Sequence, residues 1–530
     1  MDMLHFQALP AAYAALLVVS YYIAISIYRL LFHPLRKYPG PLAAKIFGAY
    51  GAYYALRTNL HRKTLQDHEN YGPVVRHGPN KLVFNSVNAL RDIYQNEQVT
   101  KSRVYLVSRR APGANGLFNA IDPSIHRKKR KLLGPIVNDR AVRAFEPLMA
   151  DQIDIFLLQL LRSYQKDPSM PINMTDRFSH LAMDIMGYFV FEYPLNLQSE
   201  PSHRFMTDST SNFFLNIALQ LPCLSNIRKS NFRYLRVLLR GGNYRRTLKK
   251  MIRSRLAQGR HVKQDLLFMT DTMRVSEDDD TFIEEIGSEA TFFLSAGSDT
   301  MSTCLSALFF YLSRNHECYQ RLAKEIRSAF TSGDEIRSGP QLSNCRYLRA
   351  CLDEALRMSP PVPGTLWREQ IFESTNTTKP LIIDGHLIPP GTQIGVNTYA
   401  IHHNKEYFPE PFTFKPDRFL SDNIGPAKGV NDGFAPFSLG SRGCIGKTMA
   451  YTEASLVVAK TLWYFDFERA QGEAGNIGES KSWDFAHMKE RASEYHIGDI
   501  FGAAHDGPCL KFRPREGYIN ELTQRLSGGN

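Results

Sequence analysis

The chain is 530 residues long, 43% apolar and 22% charged, which supplies a large packed core and argues against disordered or fibrous classes. Its formal charge of +12 invites an anionic partner, while seven scattered cysteines, an odd number with no C-x-x-C pair, argue against a disulfide framework or structural zinc and fit a reducing compartment. No Gly/Ser linker, low-complexity tract or repeat divides it, so one large domain is expected.

Between Asp2 and Arg29 there is no Lys, Arg, Asp or Glu, and "ALPAAYAALLVVSYYIAISIY" is long enough, at about 20 residues, to cross a hydrocarbon layer. A secretory signal normally has a basic leading segment and a shorter apolar stretch, so residues 1–29 are expected to form a membrane anchor. Arg29, Arg36 and Lys37 follow at once, which by the positive-inside rule puts the remainder on the cytoplasmic side. "YPGP" (Tyr38 to Pro41) cannot continue a helix, because proline lacks the amide donor. Residues 30–41 therefore read as a stiff basic hinge leading into a domain over 42–530.

Apolar runs at Val74, Val75, Leu82, Val83 and Phe84, bracketed by Gly and Asn, predict a small sheet. From about Arg140 to Phe330 the pattern is helical, including a long helix over "FIEEIGSEATFFLSAGSDTMSTCLSALFFYLSR". Within that region about a dozen Lys and Arg and no acid lie between Arg228 and Lys263, with Leu235, Leu238, Leu239, Leu248, Ile252 and Leu256 at helical spacing. This predicts paired helices with a solvated basic face suited to anionic lipid headgroups. Zinc-finger and aromatic stacking patterns are missing, which argues against nucleic acid. Strand and turn chemistry returns at "PLIIDGHLIPPGTQIGVN" and at "CLKFRPRE". The fold class is α+β, predominantly α.

Three constellations carry chemistry. "AGSDT" (Ala296 to Thr300) puts Gly297 mid-helix, at a cost of about 1 kcal/mol relative to Ala, beside Asp299 and Thr300, which could pass protons. The structural alternative is a kink whose hydroxyls satisfy backbone carbonyls. "EALR" sets Glu354 and Arg357 at i, i+3, an ordinary surface pair unless the apolar flanks bury it, in which case Arg418 in "PDRF" is the natural supplement. "FSLGSRGCIG" (437 to 446) places Cys444 in a glycine-rich loop just before a helix N-terminus, where partial positive charge favours thiolate over thiol. The loop holds no histidine to act as a base, while Arg442 offers a cation to a carboxylate. A haem iron with a cysteine axial ligand explains these features best.

These residues resemble a known family. "FSLGSRGCIG" matches the haem-binding pattern F-x-x-G-x-R-x-C-x-G, "AGSDT" the oxygen-activation pattern, and "EALR" with "PDRF" the E-x-x-R and P-x-R elements, all in family order. The chain is similar to the cytochromes P-450, in style to membrane-anchored fungal members of secondary metabolism, and the resemblance covers essentially its whole length. It implies a P-450 fold with a long central helix, small β-sheets and an N-terminal transmembrane helix.

The resemblance also implies haem b held by Cys444 through the iron, with Arg442, Arg368, Arg130 and His126 on the propionates and Phe437, Gly440 and Gly446 shaping the loop. His126 stands where the family usually has Trp, so its charge is expected to follow pH. Ala296 and Gly297 would leave room for oxygen, Asp299 and Thr300 would be catalytic, and Glu354, Arg357 and Arg418 a structural network. Arg127, Lys128, Lys129 and Lys131 would attract an acidic redox partner. Phe213, Phe292, Phe293, Val362, Leu366 and Phe501, with the loop Val104 to Leu117, would line the substrate pocket.

The implied activity is insertion of one oxygen atom from O2 into a lipophilic small molecule at the endoplasmic reticulum membrane. Electrons would come from NADPH through a reductase, with a cytochrome b-type protein as a further donor; this chain has no dinucleotide fingerprint of its own. A haem-thiolate isomerase or dehydratase, which usually lacks the acid and threonine pair, and a non-enzymatic haem carrier or sensor are the rival readings.

Overall fold

The computed structural model describes residues 2–109, 115–221, 241–257, 280–371, 380–420, 432–480 and 493–527. Helix α1 (Asp2–Ile27) runs into a π-helical turn, Tyr28–Phe32. Among the described residues its stretch Ala12–Phe32 is the one helical span long and apolar enough to cross a membrane, and none of it is buried in the protein.

The Tyr38–Pro41 segment is fastened to the domain. The Arg76 amide donates to the Pro39 carbonyl at 2.7 Å, and buried Tyr38 packs its ring 5.6 Å from that of His386. Gly40 has φ +150°, and a Cβ there would come within 2.6 Å of the Arg76 carbonyl oxygen, so only glycine permits the approach.

Arg76 belongs to β1 (Val74–Gly78), which pairs with β2 (Lys81–Phe84) as the short apolar runs predict. With β3 (Val99–Lys101), β4 (Arg368–Gln370) and β5 (Gln393–Val396) they make a five-stranded sheet in the order β1-β2-β5-β4-β3. Only the β2–β5 pairing is parallel. Late in the chain β6 (Ile497–Ile500) and β7 (Gly502–His505) form a hairpin, and Cys509–Pro514 joins a three-stranded sheet with Phe465–Arg469 and Ile172–Asn173.

The helices make the core. In chain order those that matter for the site are α2 (Pro123–Leu133), α3 (Asp139–Lys166), α4 (Met174–Phe191), α5 (Thr210–Gln220), α6 (Gly241–Ala257), α7 (Asp280–Arg314), α8 (Arg346–Met358) and α9 (Lys447–Tyr464). Helix α2 starts where the sequence dictates: Asp122 caps the Ser124 and Ile125 amides and Pro123 occupies the first turn, where its missing N–H costs nothing. Helix α7 matches the expected long helix and runs through the main core, where Leu305, Leu308 and Phe309 are fully buried with Leu160 of α3, Leu181 of α4 and Val457 of α9. Lys460 and Asp154 form a buried ion pair at 2.7 Å that ties α9 to α3. Most of the fold is helical, with the sheets at its margins.

Of the basic segment, α6 lies within the described residues and 228–240 and 258–263 lie outside them. Helix α6 is amphipathic as expected: Leu248, Met251 and Ile252 are buried, whereas Arg246, Lys250 and Arg253 are exposed. Arg255 departs from the pattern and is buried.

Candidate functional site

The loop 437–446 is shaped by its own backbone. The Cys444 amide donates to the Phe437 carbonyl at 2.8 Å, and the Gly443 amide to that of Gly440 at 3.0 Å. Ser438 (φ +58°) and Gly440 (φ +70°) both sit in the left-handed region. Gly440 is glycine for a reason other than space around the sulfur, because a Cβ there would lie 2.1 Å from the Tyr94 carbonyl oxygen. Gly446 is the residue that faces the sulfur, its absent Cβ falling 4.0 Å from Cys444 Sγ. Phe437 packs against Tyr451 of α9 with ring centroids 5.1 Å apart.

Cys444 is solvent-accessible although protein surrounds most of it. Burial pushes its thiol above the ordinary value, and the Gly446 amide, Arg130 and Lys447 pull it back only in part. The helix N-terminus does not by itself offset that burial. A coordinated cation would, since metal-bound thiols are deprotonated outright.

Beside this loop the sequence-predicted cations converge. Arg130 Nη1 donates to the Gly443 carbonyl at 2.5 Å. Arg442 donates to the carbonyls of Ala120 at 2.6 Å and Ile121 at 2.8 Å and to Thr100 Oγ1 at 2.9 Å. Arg368 is buried with its guanidinium 4.9 Å from the Tyr94 ring centroid. Lys101, which sequence reasoning missed, stands opposite Arg368 in the β3–β4 register and donates to the Phe118 carbonyl at 2.5 Å.

Burial and then the charges of Arg368, Arg442 and Arg130 hold the Lys101 amine well below its ordinary pKa. His126 is buried in the same field, and desolvation followed by Arg442, Lys101, Arg130 and Arg368 drives it to about 3. In the protein alone that field disfavours the imidazolium, whereas two propionates would act in the opposite direction. Four basic side chains crowded around one wall, with exposed Asp122 the acid that acts on Arg442, call for a polyanion. Two propionates on a flat ring whose iron meets Cys444 fit that charge and that accessible sulfur.

One predicted surface cation is not at the surface. Lys129 is buried and pairs with buried Glu289 at 2.9 Å, while the Leu117 amide also donates to that carboxylate at 2.9 Å. Arg127, Lys128 and Lys131 remain exposed on α2.

In α7 the chemistry is as the sequence spaced it. Thr300 Oγ1 donates to the Ala296 carbonyl at 2.6 Å, and Thr303 Oγ1 to that of Asp299 at 2.8 Å, the carbonyl-satisfying pattern weighed as the structural alternative. Asp299 Oδ2 accepts from Ser295 Oγ at 2.9 Å and from Asn212 Nδ2 of α5 at 2.8 Å.

Gly297 also has a packing role. A Cβ there would come within 2.3 Å of the Met186 sulfur, so its bareness serves the packing of α7 on α4. Gly297→Ala should lower stability by about 1–3 kcal/mol through overpacking. Met186→Ala in the same chain should recover part of the loss in a urea-unfolding series; additive losses would count against this packing role.

The E-x-x-R elements are buried, not a surface pair. Arg357 grips Glu354 bidentately, Nε to Oε2 at 2.7 Å and Nη2 to Oε1 at 2.9 Å, with both side chains fully buried. Arg418 Nε and the Lys415 amide reach the same Oε1 at 3.0 and 2.9 Å, while Arg357 Nη1 donates to the carbonyls of His402 and Pro411, each at 2.8 Å.

The predicted pocket residues divide. Phe292 and Phe501 meet through Phe118, which stacks on Phe292 at 5.0 Å and takes Phe501 edge-on at 5.3 Å, with Tyr105 5.4 Å away. Phe118 lies one residue beyond the loop singled out in the sequence. Phe501 turns the β6–β7 hairpin at φ +83°, a strained conformation for a bulky residue, with its ring in this aromatic cluster. Phe293 packs in the main helical core with its ring 5.8 Å from that of Phe292, and Leu366 packs against the sheet cluster. Phe213 pairs with its neighbour Phe214 at 5.4 Å, and Val362 is half-buried beside Pro361, whose carbonyl accepts from the Ala503 amide.

Comparison with known proteins agrees with this geometry. Residues 38–492 match the family described as Cytochrome P450. The chain is 34% identical to cytochrome P450 monooxygenase poxM of Penicillium oxalicum, covering 95% of each chain. It is 33% identical to cytochrome P450 monooxygenase AKT7 of Alternaria alternata, over 94% of this chain and 96% of that protein. To cytochrome P450 monooxygenase apf7 of Gibberella fujikuroi it is 32% identical, over 97% and 100%.

Proposed function

The chain belongs to the cytochrome P450 family, and from that premise we propose that it is a haem-thiolate monooxygenase of secondary metabolism that hydroxylates or epoxidises a lipophilic small molecule. The haem, when bound, supplies the iron at which O2 is activated with electrons from NADPH delivered by a reductase. Cys444 would hold its iron through sulfur, and Arg442, Arg368, Arg130 and Lys101 would hold the propionates, with His126 as a further hydrogen-bond donor to them. Asp299 and Thr300 pass protons from solvent toward the oxygen-binding side of α7. Phe118, Phe292, Phe501 and Tyr105 present an apolar aromatic surface to the substrate and exclude water.

Helix α1 anchors residues 1–29 in the endoplasmic reticulum membrane, residues 30–41 link it to the catalytic domain over 42–530, and that domain lies on the cytoplasmic side. The exposed face of Arg127, Lys128 and Lys131 meets an acidic patch on the reductase, with a cytochrome b-type protein as a second donor. The observation that carries the reading is an accessible cysteine sulfur in a glycine-shaped loop beside buried Arg368 and half-buried Arg442, Arg130 and Lys101.

Thr300→Ala tests the proton path. With reductase and NADPH, this variant should release several-fold more peroxide per NADPH consumed while keeping its haem. Unchanged peroxide yield would remove Thr300 from the mechanism. The substrate is to be named by comparing metabolites of producing cells with those of a deletion strain, where the compound that accumulates is the one left unoxidised.

A further inference from the structure

Helix α5 carries two asparagines one turn apart, Asn212 and Asn216, on one face. Each reaches a carboxyl group on a different element. Asn212 Nδ2 donates to Asp299 Oδ2 of α7 at 2.8 Å and lies 3.3 Å from Ser295 Oγ. Asn216 Nδ2 donates to the carbonyl and to Oδ1 of Asp499 in β6, at 2.8 and 2.9 Å. The β6–β7 turn closes over the first pair, since a Cβ on Gly502 would stand 3.9 Å from both Asn212 Nδ2 and Asp299 Cβ.

The bonds that Ser295 and Asn212 give to Asp299 differ in kind. Ser295 sits four residues earlier on α7 itself, so its hydroxyl moves with the acid it holds. Asn212 arrives from another helix and supplies an N–H donor without charge, which orients a carboxylate while leaving it free to gain and lose a proton. Where the Asp299 carboxyl points therefore depends on where α5 is seated.

We propose that Asn212 is a positioning residue for Asp299, its amide holding the carboxyl in the orientation from which it relays protons. The inference rests on the proton-relay role given to Asp299 above. Seating of α5 and proton delivery in α7 then become one event.

The test uses the full-length haem protein with purified reductase and NADPH. Asn212→Asp keeps the shape of the side chain, removes the donor and sets a second carboxylate against Asp299. It should raise peroxide released per NADPH several-fold and change the solvent deuterium isotope effect on NADPH oxidation. Asp299→Asn should do the same, and the double variant no more than either. Asn212→Ser, which restores a donor, should recover part of the coupling. Asn216→Asp cuts the other link of α5 and should leave the peroxide yield and isotope effect native. Native values for Asp299→Asn would sink the relay itself and the inference with it. Uncoupling by Asp299→Asn with native values for Asn212→Asp, or equal uncoupling by Asn216→Asp and Asn212→Asp, would overturn the positioning role alone. As a check independent of turnover, thermal unfolding shifts of Asn212→Ala and Asp299→Ala should be less than additive in the double variant; strict additivity would deny the contact.

Discussion

Cys444→Ser abolishes NADPH-dependent oxidation and removes the red-shifted band of the reduced carbon monoxide complex that a thiolate-ligated haem gives. The substitution is nearly isosteric, and the hydrogen bond that shapes the loop, Cys444 N–H to the Phe437 carbonyl, belongs to the backbone and survives it. A serine hydroxyl has no comparable tendency to ionise at an iron, so the axial electron donation specific to sulfur is lost. Far-UV circular dichroism and the urea midpoint should stay close to native, which separates loss of the ligand from loss of the fold. A variant that kept the native band would refute the assignment of this sulfur to the iron.

Glu354→Ala produces the second large effect, and it falls on the fold. Arg357 is completely buried and Arg418 nearly so, and both lean on the one carboxylate. Removing that carboxylate leaves two guanidinium charges uncompensated in the interior, at a cost of about 3–5 kcal/mol. Glu354→Gln retains an acceptor oxygen and costs less. Urea unfolding and the haem retained on gel filtration measure both. A loss under about 1 kcal/mol in Glu354→Ala would mean that the pair behaves like an exposed one. Because the Lys415 amide also ends on Glu354, this network fixes the segment around Pro416–Phe419 to α8.

What the sequence discloses and what it hides follow from distance along the chain. The long helix α7, the i, i+3 spacing of Glu354 and Arg357, and the glycine-shaped loop at Cys444 are local patterns, readable because their physics closes within a few residues. The partner of Lys129 lies 160 residues away on α7, so no local pattern warns that this one lysine among exposed neighbours is buried. The packing role of Gly297 shows only when α4 brings Met186 against it. Lys101 escapes notice because it ends a three-residue strand and meets Arg368 only through sheet pairing. Phe118 and Phe501 likewise become one cluster only when a hairpin near the end of the chain folds back over α7. Motif spacing finds groups that act on their neighbours in sequence, and it passes over those whose task is set by tertiary contact.

The fastening of Pro39 and Gly40 to β1 has a mechanical consequence. A catalytic body hung from a lipid-embedded rod by a loose tether would tumble, offering every side in turn to the bilayer. Here the main chain leaves the rod and is welded within a few residues to the sheet that also carries Arg368 and Lys101. With the rod set in a bilayer, such a weld would hold one flank of the body toward the lipid like a keel. Gly40→Val would force the weld apart without altering any group assigned to oxygen chemistry.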